Sequence, residues 1–338
     1  MLTRPTIVPE EAVDAAFAPL ADAETLLLAI SGGPDSTALL LMAQAWSLRR
    51  GGAPRLEAAT VDHALRPESA AEARAVAALC ARLGVPHHTL LWEGAKPRSR
   101  IQERAREARY ALLAQCAEAI GAAFVVTGHH LDDQAETVLF RLTRGSGIAG
   151  LRAMSGLATY EGATIARPLL DFDKAALVAV CETARVPFAR DPSNEDPRYA
   201  RARFRALASS LAAEGLDAPG LARLARRAGQ VEDALVRQTA AAEGRLRLIE
   251  TGACDISALF EEPIEIVQRL LTTAIAKVGG KAARDVNLEK IETLALALQD
   301  ATARGDIFSA NVAGARVRRD AKGIARIEPE PPRRKRQD

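Results

Sequence analysis

Paired cysteines are missing from this 338-residue chain. Its four cysteines stand at 80, 116, 181 and 254. None forms a C-x-x-C pair, which argues against a zinc ribbon, a redox dithiol and an iron–sulfur site. Each reads better as a small buried apolar residue. No long uncharged apolar run is present, so no membrane span is expected. The first residues include Arg4, Glu10, Glu11 and Asp14 and lack a signal-peptide core, so a soluble cytoplasmic protein is expected. Net charge is nearly absent as well. A balance of +2, with 26% charged residues, confines any nucleic-acid surface to a local patch. No internal repeat is visible. The length allows two or three domains and a large core.

What is present starts with Ile30-Ser31-Gly32-Gly33-Pro34-Asp35-Ser36. It follows the apolar run Leu26-Leu27-Leu28-Ala29 and precedes Thr37-Ala38-Leu39-Leu40-Leu41-Met42. That order reads strand, small-residue loop, helix. Such a turn aims backbone N–H groups and the positive end of a helix dipole at one point, which favours an anion. Glycines allow close approach, and Ser31 and Ser36 carry hydroxyl donors. No Gly-Lys-Ser/Thr follows, so this is not a Walker loop. A tight turn ahead of a capped helix is the plainer reading, since Pro34 suits a first helical turn. The stretch looks like the PP-loop, S-G-G-x-D-S, of enzymes that split ATP into AMP and pyrophosphate.

Apolar runs alternate with helical stretches up to about residue 190. Strands are predicted at 25–30, 56–61, 87–92, 123–128 and 163–167. Helices are predicted at 34–49, 68–83, 98–120, 131–143 and 171–185. This alternation predicts an α/β fold with a doubly wound parallel sheet. Ligands of such sheets bind beyond the carboxyl ends of the strands. Ser31–Ser36, Asp62–His63, Gly128–Asp133 and Arg167 all fall there. Past Asp191 the chain turns Arg-, Ala- and Leu-rich and reads as mainly helical, with a break at Asp217-Ala218-Pro219-Gly220. Helices are predicted at 263–278 and 287–299, then a hairpin of 315–319 and 324–327 around Asp320–Gly323. The expected division is a nucleotide-binding domain over 1–215, a helical domain with the hairpin over 216–328, and a disordered basic tail over 329–338.

Five further clusters carry chemistry. Asp62 and His63 close a strand and suit nucleotide or substrate contact; an Asx turn explains them as well. Gly128-His129-His130-Leu131-Asp132-Asp133-Gln134-Ala135-Glu136 packs two histidines and three carboxylates around a helix start. Carboxylates there favour the dipole in any case. Asp132, Asp133 and Glu136 lie on neighbouring helix faces, able to hold Mg²⁺, bind a cationic amine or accept a proton. Arg141–Leu151 joins arginines to glycines, as a phosphate neighbour or a helix C-cap would. Arg106 and Arg109 share nearly one helix face, commonly a solvated one. Arg198, Arg201, Arg203 and Arg205, with Tyr199 and Phe204, suit an RNA backbone or a solvated helix about equally.

In their order and spacing these clusters resemble the tRNA(Ile)-lysidine synthase family. Ser31–Ser36, Val61–Arg66, Arg106–Tyr110, Thr127–Thr137, Arg141–Leu151, Arg167–Leu170 and Asp191–Asn194 carry the resemblance, across residues 25 to about 205. Two positions depart from it. Ala202 follows Arg201 where the family usually has Asn, and Asp173-Lys174 replaces an arginine-containing form. The resemblance implies an enzyme that adenylates the C2 oxygen of the wobble cytidine in a CAU anticodon. The ε-amine of L-lysine then displaces AMP to give lysidine, and the tRNA changes from methionine to isoleucine decoding. ATP and Mg²⁺ are the implied cofactors, and tRNA(Ile) and L-lysine the partners; a homodimer is compatible with the chain.

The implied site follows residue by residue. Ser31, Gly32, Gly33, Pro34, Asp35, Ser36, Asp62, His63, Gly128 and His129 would hold the nucleotide, with Asp35 on the metal. Asp35, Arg109, Asp133 and Glu136 would serve catalysis. Arg106, Asp132, Asp133 and Glu136 would meet lysine or the reacting centre, and Arg201, Arg203 and Arg205 the tRNA. Three rivals fit the residues less well. A tRNA-thiolating PP-loop enzyme usually needs a cysteine pair. A small-molecule synthetase leaves 127–151 and 198–205 without a role. A degenerate binding protein is at odds with the intact Ser31–Ser36 and Asp132–Glu136.

Overall fold

A computed structural model describes residues 8–65, 68–94, 96, 99–189 and 200–331. Arg66, Asp191–Asn194, Arg198, Tyr199 and the tail from 332 lie outside the described residues. The chain forms two compact units, 1–229 and 230–338.

The first unit is built on β1 (Thr25–Ala29), β2 (Arg55–Asp62), β3 (His87–Leu91), β4 (Phe124–Thr127), β5 (Leu157–Tyr160) and β6 (Ala163–Ala166). They form one sheet in the order β3-β2-β1-β4-β6-β5. All pairs are parallel except β5 with β6. Helices α1 (Glu10–Phe17), α2 (Pro34–Arg49), α3 (Ser69–Arg82), α4 (Ile101–Ile120), α5 (Leu131–Leu142), α6 (Ile148–Leu151), α7 (Lys174–Thr183) and α8 (Ala200–Ala213) complete it, with the start of α9 (Ala218–Leu246).

The central strand explains the two-sided cover. Alternate residues of a strand point to opposite faces. Leu26 and Leu28 pack with Leu39, Trp46 and Phe17 on one side. Leu27 packs with Tyr110, Leu113, Val125 and Ile165 on the other. Both faces of β1 are therefore buried, which is why its sequence is a continuous apolar run. The strand order reverses between β1 and β4, and this switch point opens the crevice where ligands bind in such sheets.

The second unit combines the end of α9 with α10 (Leu248–Thr251), α11 (Ile256–Phe260), α12 (Ile264–Val278) and α13 (Leu288–Arg304). They accompany an antiparallel sheet, β7-β10-β9-β8, of β7 (Ala253–Asp255), β8 (Phe308–Val312), β9 (Ala315–Arg319) and β10 (Ile324–Pro329). Ile266, Leu270, Ile291, Leu298, Val317 and Ile327 share its core. The Arg269 guanidinium donates to both carboxylate oxygens of Glu232, at 2.8 and 2.7 Å.

The parallel strands and their helices match expectation closely. Strand β5 was missed, and the terminal hairpin proves to be two strands of a four-stranded sheet. Strand β7 has three residues, and the apolar–polar alternation of β8 runs over only five, too short a run to mark a strand by itself. Strand β10 runs through Pro329, the first residue of the expected tail.

Candidate active site

The loop after β1 is held by its own serines. The Ser31 N–H donates to Ser36 Oγ at 3.1 Å, and Ser36 Oγ donates to the Gly33 carbonyl at 3.1 Å. Ser36 is buried and its single proton is already directed at Gly33, so it braces the loop. Ser31 is the exposed member of the pair. Gly32 has φ +84°, a conformation that favours glycine. Gly33 precedes α2, where Pro34 occupies the first turn and Asp35 adds negative charge near the helix N-terminus.

Gly128, just past β4, meets this loop at close range. A Cβ there would lie 2.9 Å from the Asp35 carbonyl oxygen and 3.2 Å from the Ser36 nitrogen. Only glycine lets the end of β4 pack on the loop, so Gly128 has a steric task whatever it contacts in a ligand. His129 follows, its Nδ1 at 2.8 Å from Thr127 Oγ1.

His130 is the centre that sequence reasoning missed. It is 1% exposed. Its Nε2 stands 3.5 Å from an oxygen of Asp35 and 3.5 Å from one of Asp133, and its Nδ1 stands 3.4 Å from Asp132. Burial alone would depress its pKa. Hydrogen bonding to Asp132 and Asp35, with the charges of Asp133 and Asp35, overrides burial and raises the pKa to about 10. The imidazolium thus holds carboxylates from α2 and α5 together. Asp132 has a second task, accepting the Lys174 N–H at the start of α7 at 2.9 Å. Its pKa is lowered, chiefly by His130. Asp133 also accepts the backbone N–H of His130 at 3.1 Å. Glu136, three residues on from Asp133, is buried.

Basic groups gather around the other strand ends. Asp62 forms the Asx turn, accepting the Ala64 N–H at 2.8 Å. His63 lies edge-on to Trp92, 5.8 Å between centroids. Burial, then the charges of Arg109 and Lys96, press its pKa down to about 4, so it is neutral near pH 7. Arg106 sits 5.0 Å over the Tyr110 ring. Arg167, just beyond β6, donates to the Ser155 carbonyl at 2.8 Å. Arg141 donates to the carbonyls of Gly150 and Ala153, and so pins the glycine-rich segment after α5. Arg201, Arg203 and Arg205 lie on α8, where Arg203 is exposed.

The topology therefore brings Ser31–Ser36, Asp62–His63 and Gly128–Glu136 to one edge of the first unit's sheet. His130 was hidden because it reads as one of an adjacent pair. Its position as the N-cap of α5 is the signal that separates it from His129. The four cysteines are all buried. Burial raises the thiols of Cys80 and Cys181 to about 11 and that of Cys254 to about 12, and raises Cys116 as well. None is a reactive thiolate, which argues against cysteine-borne sulfur transfer. Among the described residues no helix is long and apolar enough to cross a membrane.

Comparison with known proteins agrees with this geometry. A family described as a PP-loop domain matches residues 7–211. A tRNA(Ile)-lysidine synthase of Bradyrhizobium sp. (strain BTAi1) is 48% identical, over 95% of this chain and 94% of its own. One from Rhodopseudomonas palustris is 47% identical, over 94% of each chain. Among solved structures, the U34-tRNA thiolase NcsA of Methanococcus maripaludis, described with its [4Fe-4S] cluster, superposes with a TM-score of 0.55. It shares 16% identity over 64% of this chain and 76% of its own, a likeness of fold alone. By its PP-loop domain and by near full-length identity, the chain belongs to the tRNA(Ile)-lysidine synthase family.

Proposed function

We propose that the protein ligates L-lysine to C2 of the wobble cytidine in the CAU anticodon of tRNA(Ile). ATP is consumed, an adenylated cytidine is the intermediate, and AMP and pyrophosphate are released. The observation that carries this reading is the His130 centre, which ties the PP-loop carboxylate Asp35 to the α5 carboxylate Asp133. An anion cradle and an amine-binding acid thus share one hub.

Each group has work to do. The Ser31–Ser36 amides stabilise charge on the departing pyrophosphate. Part-exposed Asp35 beside them would hold Mg²⁺, an ion that usually takes few protein ligands. Among the described residues no three His, Cys, Asp or Glu are gathered to hold a metal on their own. Bound there, the ion would neutralise phosphate charge. Asp133 and Glu136 hold the lysine ε-amine, and one of them takes its proton before attack. Arg109 faces the α-phosphate. His63, neutral beside it, is a hydrogen-bonding group for nucleotide or base. Arg201, Arg203 and Arg205 and the second unit serve as the tRNA surface.

The deciding experiment supplies ATP, labelled L-lysine and a CAU-anticodon isoleucine tRNA. Label should enter the RNA, with AMP released in equal amount. Asp35→Ala should abolish tRNA-dependent ATP–pyrophosphate exchange. Thiolation with a sulfur donor and no lysine incorporation would sink the reading.

A further inference from the structure

Two arginines beside this site have no carboxylate at ion-pair distance among the described residues. Arg167 is part-buried at the end of β6, and its Nε is buried without a hydrogen-bond acceptor among the described residues. It lies beside Tyr110, whose ring sits under the Arg106 guanidinium. Among the described residues neither arginine has a carboxylate at ion-pair distance. Burial, and then the nearby charge of Arg106, hold the Arg167 pKa below its ordinary value despite Tyr110. Desolvating one guanidinium next to another is costly unless an anion offsets it.

We propose that Arg167 and Arg106, spaced by Tyr110, form an oxyanion subsite that takes the α-carboxylate of the amino-acid substrate. The inference rests on the lysine-ligating reading and names the other end of the same substrate. Its place in the sheet selects the ligand. The PP-loop follows β1, and β4 separates β1 from β6. Two strand spacings put the backbone of Arg167 about 10 Å from the loop, outside the pyrophosphate cradle, and Arg106 reaches toward it from α4 over Tyr110. Helix α5, with Asp133 and Glu136, starts from the β4 end between them. A zwitterion with its ε-amine at α5 and its carboxylate at the arginines fits beside the ATP cradle. The guanidinium fork matches a planar carboxylate. Tyr110 stays rigid because it is buried and packs on Tyr160 at 4.5 Å between centroids. Arg109 is left for the α-phosphate.

The test compares L-lysine with L-lysinamide, which keeps the ε-amine and lacks the carboxylate. The wild-type enzyme should favour lysine in kcat/KM by roughly 10- to 100-fold, the worth of a charged hydrogen-bonded pair. Arg167→Gln should bring that ratio close to one, mainly through KM for lysine, with tRNA-dependent ATP–pyrophosphate exchange retained. Arg167→Lys should restore part of the preference. Arg106→Gln should lower the ratio in the same direction and decides the matter if Arg167→Gln does not fold. An unchanged ratio, or equal loss on both amines, overturns the proposal. So does weaker tRNA binding with a shallower salt dependence and an intact ratio, which would make the anion an RNA phosphate. Absence of lysine incorporation by the wild type would fail the underlying reading instead.

Discussion

Replacing His130 should reshape the pH dependence of stability. Its pKa is raised from 6.5 to about 10 by the surrounding carboxylates. A group whose folded pKa lies above its unfolded value stabilises fully below the unfolded pKa, and that contribution is lost as pH rises through the folded one. Between pH 6.5 and about 10 the native state therefore binds one more proton than the unfolded chain. Stability should fall there by up to about 1.4 kcal/mol per pH unit, to a ceiling of about 5 kcal/mol. Asp132 works in the other direction. Its pKa is depressed, so its contribution holds above the unfolded value of 3.8 and is lost as pH falls below it. The best stability should lie between the two limits. The assay is urea unfolding followed by tryptophan fluorescence, because Trp46 and Trp92 are the chain's two tryptophans and both lie in the first unit. The wild type should lose stability from pH 6.5 to 9.5, and His130→Gln should be flatter over the same range. Parallel curves would refute the imidazolium hub.

Three further outcomes are expected. Gly128→Ala drives a methyl group onto the Asp35 and Ser36 backbone, so it should cost about 1–3 kcal/mol in unfolding and slow ATP–pyrophosphate exchange. Asp132→Asn should lower the stability of the first unit more than it raises KM for lysine, whereas Asp133→Ala should chiefly raise KM for lysine, as steady-state kinetics beside urea melts will show. Glu232→Gln breaks a nearly buried two-pronged pair with Arg269 and should destabilise the second unit by about 3–5 kcal/mol, read by amide hydrogen exchange in α12.

The parallel core was legible because it is buried on both faces. Leu26-Leu27-Leu28 needs no alternation, and its continuous apolar signal flanked by a glycine loop identifies a central strand. The edges were not. Strand β5, Leu157–Tyr160, alternates between exposed and part-buried positions and pairs on only one side, so little in its composition separates it from a loop. Strand β8 shows the same pattern. In both cases the partner strand creates the element, and that information is not local.

The site divides along the same line. Ser31–Ser36 could be found because a loop that receives an anion carries its glycines and hydroxyls in one short stretch. The tasks of its neighbours could not, because each depends on a residue distant in sequence. Asp132 and Asp133 are adjacent and chemically identical, yet Asp132 accepts the Lys174 N–H, 42 residues on, whereas Asp133 accepts the His130 N–H at the start of its own helix. A helix turns about 100° per residue, so neighbouring carboxylates must face different surroundings. The three carboxylates of the helix start thereby meet different partners. Asp132 joins α5 to α7, which leaves Asp133 and Glu136 as the pair we propose for the amine. His130 makes this possible, since its buried positive charge offsets the repulsion that would otherwise drive Asp35, Asp132 and Asp133 apart.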